Sequence, residues 1–287
     1  MAPCEICGQK TGPGGGGLSL GARSVVACPG CGVWVLSPFP PEGELQAIYQ
    51  EDYYRRWEYR PDNLDMIRQI KHRLYASLLD RAFPGRRSGR LLDIGCAMGY
   101  SLEVARERGF EVFGLEISQF SGKIARENFG DAVAIGPLEE ADFDGESFDV
   151  VTLVDLLEHI RRPVEFLERT RRILKPGGKL ALVTPDTSSL SARLLRGRWP
   201  HLKEEHLYYF SPRSIRWALS GAGFSVEEIG PFAKPTTLQY MKSAAQCSSS
   251  QCLYRTLAKA SRILPRRIRR ACLDVPMGEM FAVARKE

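Results

Sequence analysis

The chain has 287 residues, which fits one large domain or one domain with an appendage. Hydrophobic residues make up 44% and charged residues 26%; this excludes wholesale disorder, and no apolar run approaches the ~20 residues needed to span a bilayer. Lysine and arginine outnumber acids by 40 to 34, a net of +6, too mild to demand a nucleic-acid partner.

The first residues, MAPCEICGQK, carry no charged-then-apolar leader, so the expected location is the cytoplasm. Residues 1–38 are rich in cysteine and glycine, and the Gly14–Gly17 run predicts neither helix nor packed strand. Short β-type runs follow at 23–27 and 33–36, and Ser37-Pro-Phe-Pro-Pro41 ends them. From 42 to about 83, Leu64, Ile67, Leu74, Leu78 and Leu79 recur near helical spacing. This predicts three parts: a module over 1–40, a helical lead-in over 41–84 and a main domain over 85–287.

The main domain alternates strand and helix. Strands are predicted at 90–94, 111–115, 131–135, 148–154 and 179–184. Helices are predicted at 100–108, at 118–129 with Ser118 as N-cap, and at 164–174 after Pro163. Such alternation implies a parallel sheet covered by helices on both faces. Residues 187–212 form a long mixed segment, followed by a helix at 212–222, a strand at 224–229 and a final strand at 279–284. A basic helical insertion is predicted over 240–275; residues 255–270 carry seven basic side chains and no acid.

The first strand runs into Leu91-Leu-Asp-Ile-Gly-Cys-Ala-Met-Gly-Tyr100. Gly95 and Gly99 allow a tight turn and close approach of a ligand at the strand's carboxyl end. Glu116 ends the second strand, 21 residues beyond Gly95, where a carboxylate can accept both hydroxyls of a ribose. A dinucleotide site wants a further glycine where Ala97 stands. Asp93 before the turn suits a cationic ligand better than a phosphate.

These segments, with Ser147-Phe-Asp-Val-Val151, Leu157-Glu-His-Ile160 and Leu174-Lys-Pro-Gly-Gly178, resemble the successive motifs of class I S-adenosylmethionine (SAM)-dependent methyltransferases. The likeness is to the branch that includes the ubiquinone-pathway O-methyltransferases and many small-molecule and glycan-modifying enzymes. It covers roughly residues 85–232 plus the last strand. It implies an α/β fold: a Rossmann-like seven-stranded sheet, here with a small N-terminal zinc ribbon and a helical lead-in. The resemblance also implies that Asp93, Gly95 and Gly99 line the methionine end of SAM, with Cys96 in the same loop. Glu116 would hold the ribose, Ile117 flank the adenine, Leu138 and Glu139 close on its edge, and Asp155 lie next to the transferred methyl.

Asp155, Glu158 and His159 have i, i+3, i+4 spacing, so a helix after the fourth strand would put all three on one face. They could hold a divalent cation acting on a substrate hydroxyl, as the acid-x-x-Glu-His pattern of the ubiquinone-pathway relatives is proposed to do. The alternative is that Glu158 and His159 only brace the loop while Asp155 meets substrate. His201 and His206 lie in Arg198-Trp-Pro-His-Leu-Lys-Glu-Glu-His-Leu-Tyr-Tyr-Phe-Ser211, where such enzymes cover their substrate. His206 matches a histidine of relatives and is the candidate general base; His201 is expected at the surface. Trp199, Tyr208 and Tyr209 are candidate walls for an aromatic or sugar substrate, with core packing the safer reading for at least one tyrosine.

Cys4-x-x-Cys7 and Cys28-x-x-Cys31 are each followed by glycine, a knuckle pattern suited to structural Zn²⁺; a ribbon that has lost its metal, or a site oxidised to disulfides, is the alternative. Cys96, Cys247, Cys252 and Cys272 have no second knuckle to join. The expected activity is methyl transfer from SAM to a small molecule or saccharide, with a hydroxyl oxygen as acceptor. An RNA-modifying methyltransferase using the ribbon and basic stretch is the competing reading, although only Lys10 and Arg23 precede Pro38, which argues against nucleic acid. A non-catalytic SAM-fold partner protein is the third. The basic stretch reads as a solvated face, with a membrane-surface contact as an alternative.

Overall fold

The computed structural model describes residues 3–10, 17–41, 43–44, 64–85, 88–244, 265, 267 and 271–287. Residues 14–16 of the glycine run, 45–63 of the lead-in (with Tyr49 and Tyr54), Cys247, Cys252 and most of the basic stretch lie outside the described residues.

Three short antiparallel strands open the chain: β1 (Leu18–Leu20), β2 (Arg23–Ala27) and β3 (Trp34–Ser37). Helix α1 (Leu64–Ala82) follows and buries Ile67, Leu74, Leu78 and Leu79 of the face its spacing predicted, with Ile70 besides, while Leu64 is only partly buried. Then come β4 (Arg90–Ile94), α2 (Tyr100–Glu107), β5 (Glu111–Glu116), α3 (Gln119–Phe129), β6 (Val133–Ile135) and β7 (Phe148–Val154). Helix α4 (Pro163–Ile173) has Pro163 in its first turn, where the missing N–H costs nothing. Strand β8 (Leu174–Pro185), helix α5 (Leu190–Leu195), strand β9 (Tyr208–Tyr209) and helix α6 (Pro212–Gly221) come next. The chain closes with β10 (Phe224–Thr236), α7 (Leu238–Ala244) and β11 (Leu273–Lys286), both strands longer than their apolar runs suggest.

Seven strands form one sheet in the order β10-β11-β8-β7-β4-β5-β6. Strands β8, β7, β4, β5 and β6 are parallel, and β11 enters antiparallel between β8 and β10. Period-2 alternation divides the core. Leu91, Val150, Ala181, Val183 and Phe281 face α1 and α2, whereas Leu92, Val151, Leu180, Leu182 and Met280 face the opposite layer with Phe166, Leu167, Ile215 and Leu219. The chain runs outward from β4 to β5 and β6, then returns to β7 on β4's other side. That reversal opens a crevice beyond the carboxyl ends of β4 and β7, where open α/β sheets take their ligands.

The N-terminal strands make a second sheet whose fourth member is β9, in the order β1-β2-β3-β9. Trp34 pairs with Tyr209 and Val35 with Tyr208. Cys4, Val25, Cys28, Val33 and Leu36 therefore share one core with Trp199, Leu207, Tyr208 and Phe210. Trp199, Tyr208 and Tyr209 are all fully buried. They are core, and the expectation that they wall a substrate is corrected.

Candidate functional site

At the end of β4 the chain turns through Gly95 (φ 81°), Ala97 (φ 47°) and Gly99 (φ 85°). Gly95 and Cys96 both donate their amides to Leu115 O, at 2.7 and 3.2 Å, which folds the turn onto β5. A Cβ on Gly99 would come within 2.9 Å of the Phe129 ring, so glycine is required there by space as well as by φ. Ala97 holds a left-handed conformation that disfavours a side chain, the kind of local strain found at ligand sites. Its amide donates to Glu116 Oε2 at 2.8 Å, and Ser118 N donates to Glu116 Oε1 at 2.8 Å. Glu116 is thus fixed across the turn. Ser118 caps α3 by position, but its side chain makes no capping bond.

Asp93 is 1% exposed and accepts hydrogen bonds from Ser101 of α2 and, at 2.5 Å, from Thr152 of β7. Burial raises its carboxyl to about 6 in spite of those two donors. Buried Cys96 has its thiol pushed up by the same loss of hydration. Ile117 is exposed beside the turn, Leu138 is buried after β6, and Glu139 is exposed 4.0 Å from Arg169.

Beyond β7, Asp155 stands at φ 52° with its amide held by Val183 O at 2.9 Å. The following residues Leu157–His159 form a single 3-10 turn, so the α-helical face expected for Asp155, Glu158 and His159 does not form. Asp155 turns away to Lys234, whose Nζ lies 2.6 Å from both carboxylate oxygens. Loss of hydration would raise Asp155, but the Lys234 charge and hydrogen bonds outweigh it and hold the carboxyl below its ordinary range. Behind Lys234 stands Glu279 of β11, at 3.6 Å and 3% exposed, with His201 Nε2 3.3 Å from it. His201 is therefore a half-buried partner of Glu279, correcting the expected surface position.

The group that does converge is Glu158, His159 and His206, each offering a ligand atom within 4.8 Å of the others. Asp155 is not part of it. Glu158 accepts from Thr184 Oγ1 at 2.9 Å, and its buried Oε1 has no hydrogen-bond partner among the described residues. Burial and the nearby Asp155 charge raise it to about 8. His159 Nδ1 lies 2.9 Å from Glu205 O; burial lowers its basicity. His206, 4% exposed, packs edge-on against His159 with ring centroids 4.7 Å apart. Its Nδ1 has no partner among the described residues, and burial holds it well below 6.5, so it is neutral at pH 7.

The four N-terminal cysteines also converge. Cys4 Sγ and Cys31 Sγ are 3.8 Å apart, and Cys7 Sγ and Cys28 Sγ 3.6 Å. These are far beyond a disulfide, and a tetrahedron with ~2.3 Å Zn–S bonds has edges of about 3.8 Å. The Cys4–Cys31 contact holds Cys4 below its ordinary range and pushes Cys31 above it, so the two thiols share one proton, while burial raises Cys7.

A parallel sheet with a glycine turn after β4, an acid ending β5 and an antiparallel final strand defines the Rossmann-like class I methyltransferase architecture. The chain belongs to the methyltransferase-domain family, whose model matches residues 66–229. Relatives include the ubiquinone biosynthesis O-methyltransferases of Idiomarina loihiensis, 36% identical over 33% of this chain and 42% of that protein, and of Hahella chejuensis, 31% identical over 47% and 58%. The chain thus spans about half the length of these curated relatives. The YcgJ protein of Bacillus subtilis shares the fold at a TM-score of 0.54 and 18% identity, over 74% of this chain and 98% of that one.

The glycine turn, Glu116 and the Glu158–His159 pair were legible in the sequence. Lys234 and Glu279 were missed. Neither lies in a motif; pairing with β8, to which Asp155 bonds, brings β11 and Glu279 there, and pairing with β11 brings β10 and Lys234. No helix among the described residues is long and apolar enough to cross a membrane.

Proposed function

We propose that the chain binds SAM in the crevice beyond β4 and β7 and transfers its methyl group to a hydroxyl of a small molecule or saccharide. The observation that carries this is the meeting, at one reversal of strand order, of the Gly95–Gly99 turn, the fixed carboxylate of Glu116 and the strained Asp155. Glu116 takes the ribose hydroxyls, and the amides it already accepts pre-orient it. Asp93, Gly95, Cys96 and Gly99 form the methionine side. Exposed Ile117 covers the adenine, with Leu138 and Glu139 at its edge. Asp155 lies beside the transferred methyl.

In the transfer the S–CH₃ bond breaks with its electron pair going to sulfur, the O–CH₃ bond forms, and the hydroxyl proton passes to His206, or to solvent when His206 holds a cation. S-adenosylhomocysteine is the other product. His206 is neutral and ready to accept a proton, but burial makes it a weak base. The donor set Glu158, His159 and His206, with an unpaired carboxylate oxygen and an unpaired imidazole nitrogen, fits a divalent cation. Such a cation would supply Lewis-acid polarisation of the acceptor hydroxyl when bound. The four cysteines hold a closed structural Zn²⁺ with no chemical role. The 1–40 module pairs its β3 with β9, next to His206, and the 85–287 domain carries the residues named for SAM.

The test is to incubate the protein with methyl-labelled SAM and sets of hydroxylated metabolites and sugars. Label in an ether product supports the reading. Label in an N-methyl or C-methyl product sinks the hydroxyl acceptor.

A further inference from the structure

Lys234 is the largest element of this site without a place in the chemistry above. Its side chain is 17% exposed and that of Asp155 41%, so the pair lies at the cleft and not in the core. The Nζ sits 2.6 Å from each Asp155 oxygen. A register shift between Phe232 and Lys234, where β10 pairs with β11, bends the strand; such bulges re-aim a side chain next to an active site. Glu279 backs the ammonium at 3.6 Å and is itself met by His201 at 3.3 Å. Strands β10 and β11, the turn after β7 and His201 therefore converge to hold one lysine against one aspartate.

The reaction turns a sulfonium cation into a neutral thioether. A bare carboxylate beside that sulfur would favour the cation over the transition state, in which the charge is already dispersing, and interactions that favour the ground state slow the step. We propose that Lys234 is a positioning residue that neutralises Asp155 beside the sulfonium and thereby sets how strongly the site prefers SAM over S-adenosylhomocysteine. This rests on the placement of SAM and Asp155 given above. The carboxylate keeps its orientation at the methyl, while its field is cancelled by an ammonium that Glu279 holds in place. A lysine placed only for stability would shift affinity for the two ligands equally, because they differ only in the methyl group and its charge.

The experiment is calorimetric titration of the full chain with SAM and, separately, with S-adenosylhomocysteine. The SAM preference is expected to rise at least about fivefold in Lys234→Met, where Asp155 loses the ammonium in contact with it, and to fall by a similar factor in Asp155→Asn. The double variant and Lys234→Arg return close to the wild-type ratio. Should Lys234→Met fail to fold by circular dichroism, the fall in Asp155→Asn and the retention in Lys234→Arg decide the matter. An unchanged ratio in Asp155→Asn, with both ligands still binding, overturns the role of Lys234. Binding of neither ligand by the wild-type chain overturns instead the cofactor reading on which it rests.

Discussion

The amide of Leu36 donates to Leu207 O at 2.9 Å, and the amide of Leu207 donates to Glu158 O at 2.8 Å. A strand of the cysteine module is thus two hydrogen bonds from a candidate metal ligand, with His206 preceding the shared residue. The ring contact of Phe39 with Tyr208, centroids 5.6 Å apart, reinforces that seam. So does the bond from Arg213 to Gly30 O at 2.9 Å.

The first prediction follows from that seam. The purified chain should carry one zinc, and its removal by a chelator, or Cys31→Ser, should loosen β9 together with the module. Elemental analysis should give one zinc per chain, and metal removal should lower Tm by about 10 °C. An unchanged Tm after complete stripping contradicts a structural metal.

Asp93 gives a pH signature. Its folded value of about 6 stands above the ordinary 3.8, so between those limits the folded state binds more protons than the unfolded chain. Stability therefore falls as pH rises from about 4 to about 6, and above that window the ionised carboxylate is a full penalty. Asp93→Asn should remove this component, on the order of 2–3 kcal/mol. Urea titrations at pH 4 and pH 7 would show it as a change in stability from pH 4 to pH 7 that is more favourable in the variant. An equal difference in both chains would refute the assignment.

The Glu158–His159–His206 group predicts a cation site independent of zinc. Manganese added to the zinc-loaded chain should bind at one site by electron paramagnetic resonance. Glu158→Gln should weaken it at least tenfold, roughly. The same loss should appear in His206→Ala, whereas Asp155→Asn should leave the site in place. Loss in Asp155→Asn but not in His206→Ala would restore the ligand set that spacing alone suggests.

Much of the fold is written in local signals. The strand-helix alternation from 90 to 184 follows from apolar runs punctuated by Gly95, Gly109 and Pro163, and each of these marks a real boundary or turn. The cysteine pairs converge as their spacing requires. Local pattern failed where distant segments meet. The i, i+3, i+4 spacing of Asp155, Glu158 and His159 presupposes an α-helix, yet Asp155 takes a left-handed turn and a 3-10 turn follows. His206 reaches Glu158 only because Leu207 bonds to Glu158 O across 49 residues of chain. Lys234 reaches Asp155 only because β11 pairs with both β8 and β10. No periodicity within either strand encodes that contact.

The turn after β4 and the carboxylate of Glu116 together make the proposed SAM site. Calorimetric titration of SAM into the wild-type chain and into Glu116→Ala tests it most directly. The predicted result is saturable binding by the wild type and a loss of at least tenfold, roughly, in the variant, since two charge-assisted hydrogen bonds to the ribose disappear. Equal affinity in the two chains, or no binding by the wild type at about millimolar SAM, would contradict the account.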